Sequence, residues 1–124
     1  MHAKPRNTPT LVIALLSAIL AGTTLFAGPS HSASFDCDAQ NLKPDEQAIC
    51  ANRALNDADV KMATTFQLLS GLLAMGARGT LHDEQSAWLK TRQACGGDVA
   101  CLKAAYDARL KQLDQAYNNI SRPL

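Results

Sequence analysis

Four cysteines, Cys37, Cys50, Cys95 and Cys101, constrain this chain more than any other feature. They fall into two sets on either side of a long helix-periodic stretch. An even count in a small chain reads as a framework of two disulfides made in an oxidising compartment. Zinc favours closely paired thiolates, usually with histidine. Here twelve and five residues intervene within the two sets, and His82 is the one histidine beyond residue 31. A redox-active pair favours Cys-X-X-Cys after a strand, and that motif is absent. The cysteines are therefore expected to be structural, with no metal and no cofactor.

The fold does not begin at residue 1. Lys4 and Arg6 form a basic start, Leu11–Leu20 is almost uninterruptedly apolar, and Gly28-Pro29 followed by Ser30-His-Ser-Ala-Ser34 closes the segment. This is the order of a secretory signal peptide, assigned to residues 1–33. Cleavage is expected near Ala33 or Ser34, with Ala27 a second candidate. A retained membrane anchor is the competing reading, but a span needs about 20 apolar residues, and Ser17, Thr23 and Thr24 interrupt this one. No cysteine lies where a lipid anchor would need it. The remaining domain, residues 34–124, is small with a thin core. Its mixed, near-neutral charge gives no footprint for nucleic acid and no basic face for membrane insertion after cleavage.

Residues 34–43 show no period and read as an ordered leader. Pro44 suits the first position of a helix, and Asp45 and Glu46 suit its first turn. Apolar side chains then recur at Leu55, Ala58, Met62, Phe66, Leu69 and Leu73, which predicts one continuous first helix. Gly76-Ala-Arg-Gly79 reads as the turn that ends it. Thr80 with Asp83 resembles a capping box opening a second helix, whose inner face is Leu81, Trp88, Leu89 and Cys95. Gly96-Gly97 stops that helix, and Asp98 is a natural N-cap for a third, with Leu102, Tyr106, Leu110, Leu113, Tyr117 and Ile120 along it. Pro123 lies near the end. The expected fold is all-α, a small three-helix antiparallel bundle stapled by two disulfides.

Helix geometry selects the pairing. A second helix doubling back from the Gly76–Gly79 turn carries Cys95 ~21 Å down the bundle, to the level of Lys61. Cys50 then lies about 16 Å further on, too far for a bridge that needs Cα atoms within ~7 Å. Cys95 and Cys101 flank one short turn, and Cys37 can fold over the leader onto Cys50. The pairs are therefore Cys37–Cys50 and Cys95–Cys101.

Gln85, Trp88 and Arg92 share one side of the second helix. Trp88, the one tryptophan, reads as a core anchor between the first and third helices. Arg92 is expected to satisfy a carboxylate such as Asp59 or Glu46, and Gln85 to bond a neighbouring backbone group. An exposed Trp88/Arg92 hot spot for a partner protein is the functional alternative. Catalysis has little to stand on. No serine or threonine has an evident His/Asp partner, and Asp57 and Asp59, two residues apart, read as a solvated helical face. The chain is not expected to be an enzyme.

Taken together, Phe35-Asp-Cys37, Glu46-Gln-Ala-Ile-Cys50, Gln85-Ser-Ala-Trp-Leu-Lys-Thr-Arg92, Cys95, Cys101-Leu102, Tyr106 and Arg109 resemble the LprI-like family of small exported bacterial domains. The resemblance runs from Phe35 to about Leu113. It implies a helical domain with two disulfides and, because the family's named member inhibits lysozyme, a protein that blocks a peptidoglycan-cleaving lysozyme. Lacking a lipoprotein cysteine, this chain is expected free in the periplasm or secreted. Asp59 and Phe66 are mild departures from the family pattern.

A lysozyme cleft holds two carboxylates, one of them kept protonated. An exposed Arg78 in the Gly76–Gly79 turn, with His82 just beyond, would offer such a cleft a bidentate donor. An acidic patch of Asp36, Asp38, Asp45 and Glu46 would instead steer the protein toward a basic c-type lysozyme. A non-inhibitory interaction or scaffold module of the cell envelope is the alternative function.

Overall fold

The computed structural model describes residues 33–120. The signal-peptide assignment, apart from Ala33, and Pro123 lie outside these residues. Four helices follow in order: α1 (Pro44–Ala51), α2 (Arg53–Leu72), α3 (Met75–Ala94) and α4 (Val99–Asn118). All the regular structure among the described residues is helical, and no helix there is long and apolar enough to cross a membrane.

The expected first helix is in fact two, which corrects the three-helix bundle to four helices. Asn52 is extended, with φ −117° and ψ 110°, and separates α1 from α2. Its N–H closes α1 on Ala48 O, while its side chain accepts from Leu55 N at 3.2 Å and opens α2. Asparagine is among the best residues for that cap, so one side chain ends one helix and starts the next. At the head of α1, Pro44 takes the first position, and Lys43 N donates to Glu46 Oε2 at 2.8 Å.

The hairpin between α2 and α3 also differs from expectation. Leu73 and Ala74, both extended, reverse the chain, and Gly76-Ala-Arg-Gly79 lies inside the first turns of α3. Glycine costs a helix about 1 kcal/mol relative to alanine. Burial of Leu81 and Trp88 further along offsets it, and Arg78 Nη2 ties the start of α3 to Leu73 O at 3.0 Å. The Thr80–Asp83 capping box does not form; Thr80 is interior to the helix, and its hydroxyl donates back to Gly76 O. With the reversal earlier than expected, α3 passes Met62 already at Gln85. Cys95 is thus carried beyond the level of Lys61, and the register behind the distance argument fails. The pairing itself holds for a local reason. Cys95 and Cys101 flank a tight turn in which Gly96 takes φ +53°, and their Cα atoms are 5.6 Å apart. Asp98 caps α4 by accepting from Cys101 N at 2.9 Å. Cys37 and Cys50 form the other bridge, with Cα atoms 5.7 Å apart.

α3 runs antiparallel to α2 and to α4, and the most extensive packing is between α2 and α4. The core is Ile49, Leu55, Met62, Leu69, Leu81, Trp88, Leu102, Tyr106 and Leu113. Tyr117, expected on the inner face of the last helix, is instead exposed beside Leu68 and Leu72.

Candidate functional site

The two ends of the bundle differ in chemistry. At the end holding both disulfides, Arg92 reaches inward from the last turn of α3. Its Nε donates to Asp45 Oδ2 at 2.9 Å, and its other nitrogens lie 3.6 Å from Asp59 and 3.8 Å from Glu46. The guanidinium sits 5.6 Å from the Phe35 ring centroid and 5.9 Å from that of Trp88. The 37–50 bridge holds the leader down, so Phe35 covers Arg92 and Ser34 N donates to Asp59 Oδ2 at 2.6 Å. Tyr106 Oη donates to Asp59 Oδ1 at 2.8 Å.

Burial pulls the Arg92 pKa down, but Tyr106, Asp45 and Asp59 more than reverse this, so it stands above the ordinary arginine value. Tyr106 is also raised, first by burial and then by the adjacent Asp59 carboxylate, with Arg92 opposing. Among the described residues no buried side-chain nitrogen or oxygen lacks a partner. Such a closed polar network orients groups and fixes the packing.

Several expectations change here. Asp59 does not belong to a solvated face, because it is fully buried, whereas its neighbour Asp57 is exposed and pairs with Arg53. Asp45 is the nearest carboxylate to Arg92 and is withdrawn from the acidic patch, since it too is buried. Gln85 serves a side chain rather than a backbone group: its Oε1 accepts from Arg109 Nε at 3.0 Å. Arg109 is itself buried, which lowers its pKa against the opposing pull of Glu84. Trp88 is buried between α3 and α4, its Nε1 donating to Ala105 O at 3.0 Å and its ring edge-on to Tyr106. Trp88 and Arg92 therefore present no exposed hot spot.

The opposite end is open and apolar. Leu72 and Met75, on either side of the hairpin, are 62 % and 86 % exposed, and Leu68 and Tyr117 continue the surface. Arg78 is exposed in the first turn of α3 rather than at a loop tip. His82, one turn further, lies 3.1 Å from Ser70 Oγ through Nε2 and stacks edge-on against Phe66. Arg78 and His82 thus share the start of α3, while Trp88 and Arg92 lie in its second half, where Glu46 of α1 approaches Arg92. Among the described residues no group of three or more His, Cys, Asp or Glu side chains is placed to hold a metal ion.

Residues 37–99 match the family described as lysozyme inhibitor LprI. The chain belongs to that family. The LprI match covers α1, α2, α3 and three of the four cysteines and stops at the first residue of α4. It therefore includes Asp45, Asp59 and Arg92 but not Tyr106. No curated protein and no solved structure matches the chain.

Proposed function

We propose that this chain is an exported lysozyme inhibitor, free in the periplasm or secreted, that acts by surface contact and not by catalysis. The family match over residues 37–99 carries the reading. Two disulfides support an oxidising compartment. The contact is placed at the α2–α3 hairpin end. There Leu72 and Met75 give an exposed apolar surface, with Arg78 in the same turn of chain and His82 one helical turn further. A cleft lined by carboxylates suits such an end, since the apolar pair excludes water around a charge-assisted hydrogen bond. The disulfide end is a less suitable contact, because Asp45, Asp59 and Arg92 are buried and turned toward one another rather than outward.

The test is a cell-wall turbidity assay of c-type lysozyme titrated with the oxidised protein beginning at Ser34. Clearing is expected to slow in proportion to added protein. Undiminished clearing at large molar excess overturns inhibition of that lysozyme and leaves the envelope interaction module as the reading.

A further inference from the structure

The leader brings a backbone nitrogen, not a side chain, onto a fully buried carboxylate. Ser34 N donates to Asp59 Oδ2 at 2.6 Å. The titratable and charged groups around that contact are Asp59 from α2, Arg92 from α3, Tyr106 from α4, Asp45 and Glu46 from α1, and Asp36 of the leader. Three carboxylates, Asp45, Glu46 and Asp59, stand within ion-pair distance of a single guanidinium, that of Arg92. Among the described residues no other side-chain cation reaches Asp45 or Asp59. The inner cluster is short of positive charge, and a peptide N–H supplies only a dipole. The bond that makes Ser34 N a peptide nitrogen joins it to Ala33, the small residue that ends the signal-peptide pattern.

We propose that hydrolysis of the Ala33–Ser34 bond is a maturation step read by the fold: it turns Ser34 N into an α-ammonium that pairs with Asp59 and completes the buried cluster. Water adds across the peptide C–N bond. Its oxygen goes to the Ala33 carbonyl carbon, which departs as a carboxylate with the signal peptide, and the released amine is protonated near neutral pH. The catalyst is an endopeptidase of the export machinery that cuts after small residues. The cut precedes folding, because the folded chain packs Ala33 against the core. Ser34 is itself exposed, so the ammonium keeps water on one side while one N–H faces Asp59. A charge-assisted hydrogen bond is roughly twice as strong as a neutral one. The domain therefore reaches its full stability after the signal peptide is removed, on the far side of the membrane. A cut after Ala27 would leave Ser34 N an amide and the cluster unbalanced.

Two oxidised chains test this, one beginning at Ser34 and the other at Ala33, together with the mass of the protein exported from a chain of residues 1–124. The exported protein is expected to begin at Ser34. The Ser34 chain is expected to melt about 5 °C or more above the Ala33 chain near neutral pH. Its α-amine, followed by NMR, is expected to titrate above the ordinary range of about 7.7–8.0. A raised folded pKa gives stability that is present in full below the unfolded value and lost as pH rises through the folded one, so the gap should close in alkali. Ser34→Ala keeps the amine and should keep the gap, whereas Asp59→Asn in both chains should remove it. Equal melting of the two chains at every pH, or an exported protein beginning at Gly28, overturns the proposal. The comparison of start sites decides even if Asp59→Asn does not fold.

Discussion

Arg92 and Asp45, 47 positions apart in sequence, meet at 2.9 Å with side chains 5 % and 1 % exposed. This contact joins the last turn of α3 to the first turn of α1. With the 37–50 bridge it holds the short α1 and the leader against the bundle. Removing one member of a buried pair leaves the other charged, desolvated and unmatched, at a cost of about 3–5 kcal/mol. Arg92→Ala, which strips Asp45 and Asp59 of their cation, is expected to lower unfolding stability by that order, measured by urea denaturation of the oxidised protein. Asp45→Ala should cost less, since Arg92 keeps Asp59 and Glu46. The double variant should cost less than the two single losses added together, because neither partner is then left alone.

Tyr106 gives the same cluster a pH signature. Its folded pKa is raised by burial and by Asp59, while an unfolded tyrosine titrates near about 10. The stability from the protonated phenol is complete below that unfolded value and is lost as pH climbs toward the folded one. Unfolding free energy should therefore fall steeply above about pH 10, and less steeply in Tyr106→Phe. In a Tyr117→Phe background, tyrosinate absorbance reports Tyr106 alone. It should rise together with the loss of helical circular dichroism rather than before it. At neutral pH, Tyr106→Phe should cost about 1–3 kcal/mol, since Asp59 Oδ1 loses its hydroxyl donor.

The pairing of Arg92 with Asp59 and Glu46 is legible in the sequence, but Asp45 as its nearest partner and the depth of the cluster are not. Apolar period alone predicts Leu55, Met62, Leu69, Leu81, Leu102 and Leu113 inside, and that much of the bundle follows from spacing. The same logic places Asp45 and Asp59 outside. Their partners lie on other helices, and a first-turn aspartate already has a local reason to be there in the helix dipole. Asn52 hides for a related reason, because the apolar pattern resumes in register beyond it and nothing local announces that it caps both helices. At Gly76–Gly79, intrinsic propensity favours a turn, and tertiary burial further down α3 overrides it. Gly96-Gly97 and Asp98 were readable, because a left-handed residue and an N-cap are decided by near neighbours. Arg109 stood in the quoted family pattern, yet only the fold shows it buried and bonded to Gln85.

The two disulfides close short loops, with sequence separations of 13 and 6. In the chain-entropy account each is worth about 2–3 kcal/mol through the unfolded state. Cys95→Ser with Cys101→Ser should lower the melting temperature, and loss of both bridges should leave the domain largely unfolded at physiological temperature. Thermal melts with and without reductant check this. The 37–50 bridge also positions Phe35 and Ser34 on the Arg92 cluster, so its removal should cost more than the loop term alone.

If the hairpin end makes the inhibitory contact, residues that contribute nothing to the core should control inhibition. Met75 and Leu72 are exposed, and an aspartate at either place leaves the packing of α2 and α3 untouched while setting a charge against the partner's acidic cleft. Met75→Asp and Leu72→Asp are expected to weaken inhibition at least tenfold, with melting unchanged within a few degrees. Arg78→Ala removes the cation and also its bond to Leu73 O, so a small loss of stability accompanies it. Arg78→Lys separates the two effects, since it keeps the charge but not the planar fork. Inhibition retained by the lysine variant assigns the role to charge, and inhibition lost in both variants assigns it to bidentate geometry. His82→Ala should loosen the Ser70 and Phe66 contacts with a smaller effect on inhibition. Full inhibition by the Met75→Asp, Leu72→Asp and Arg78→Ala proteins would move the contact away from this end. The groove between α3 and α4, lined by Glu84, Thr91, Gln112 and Gln115, would be the next surface to probe.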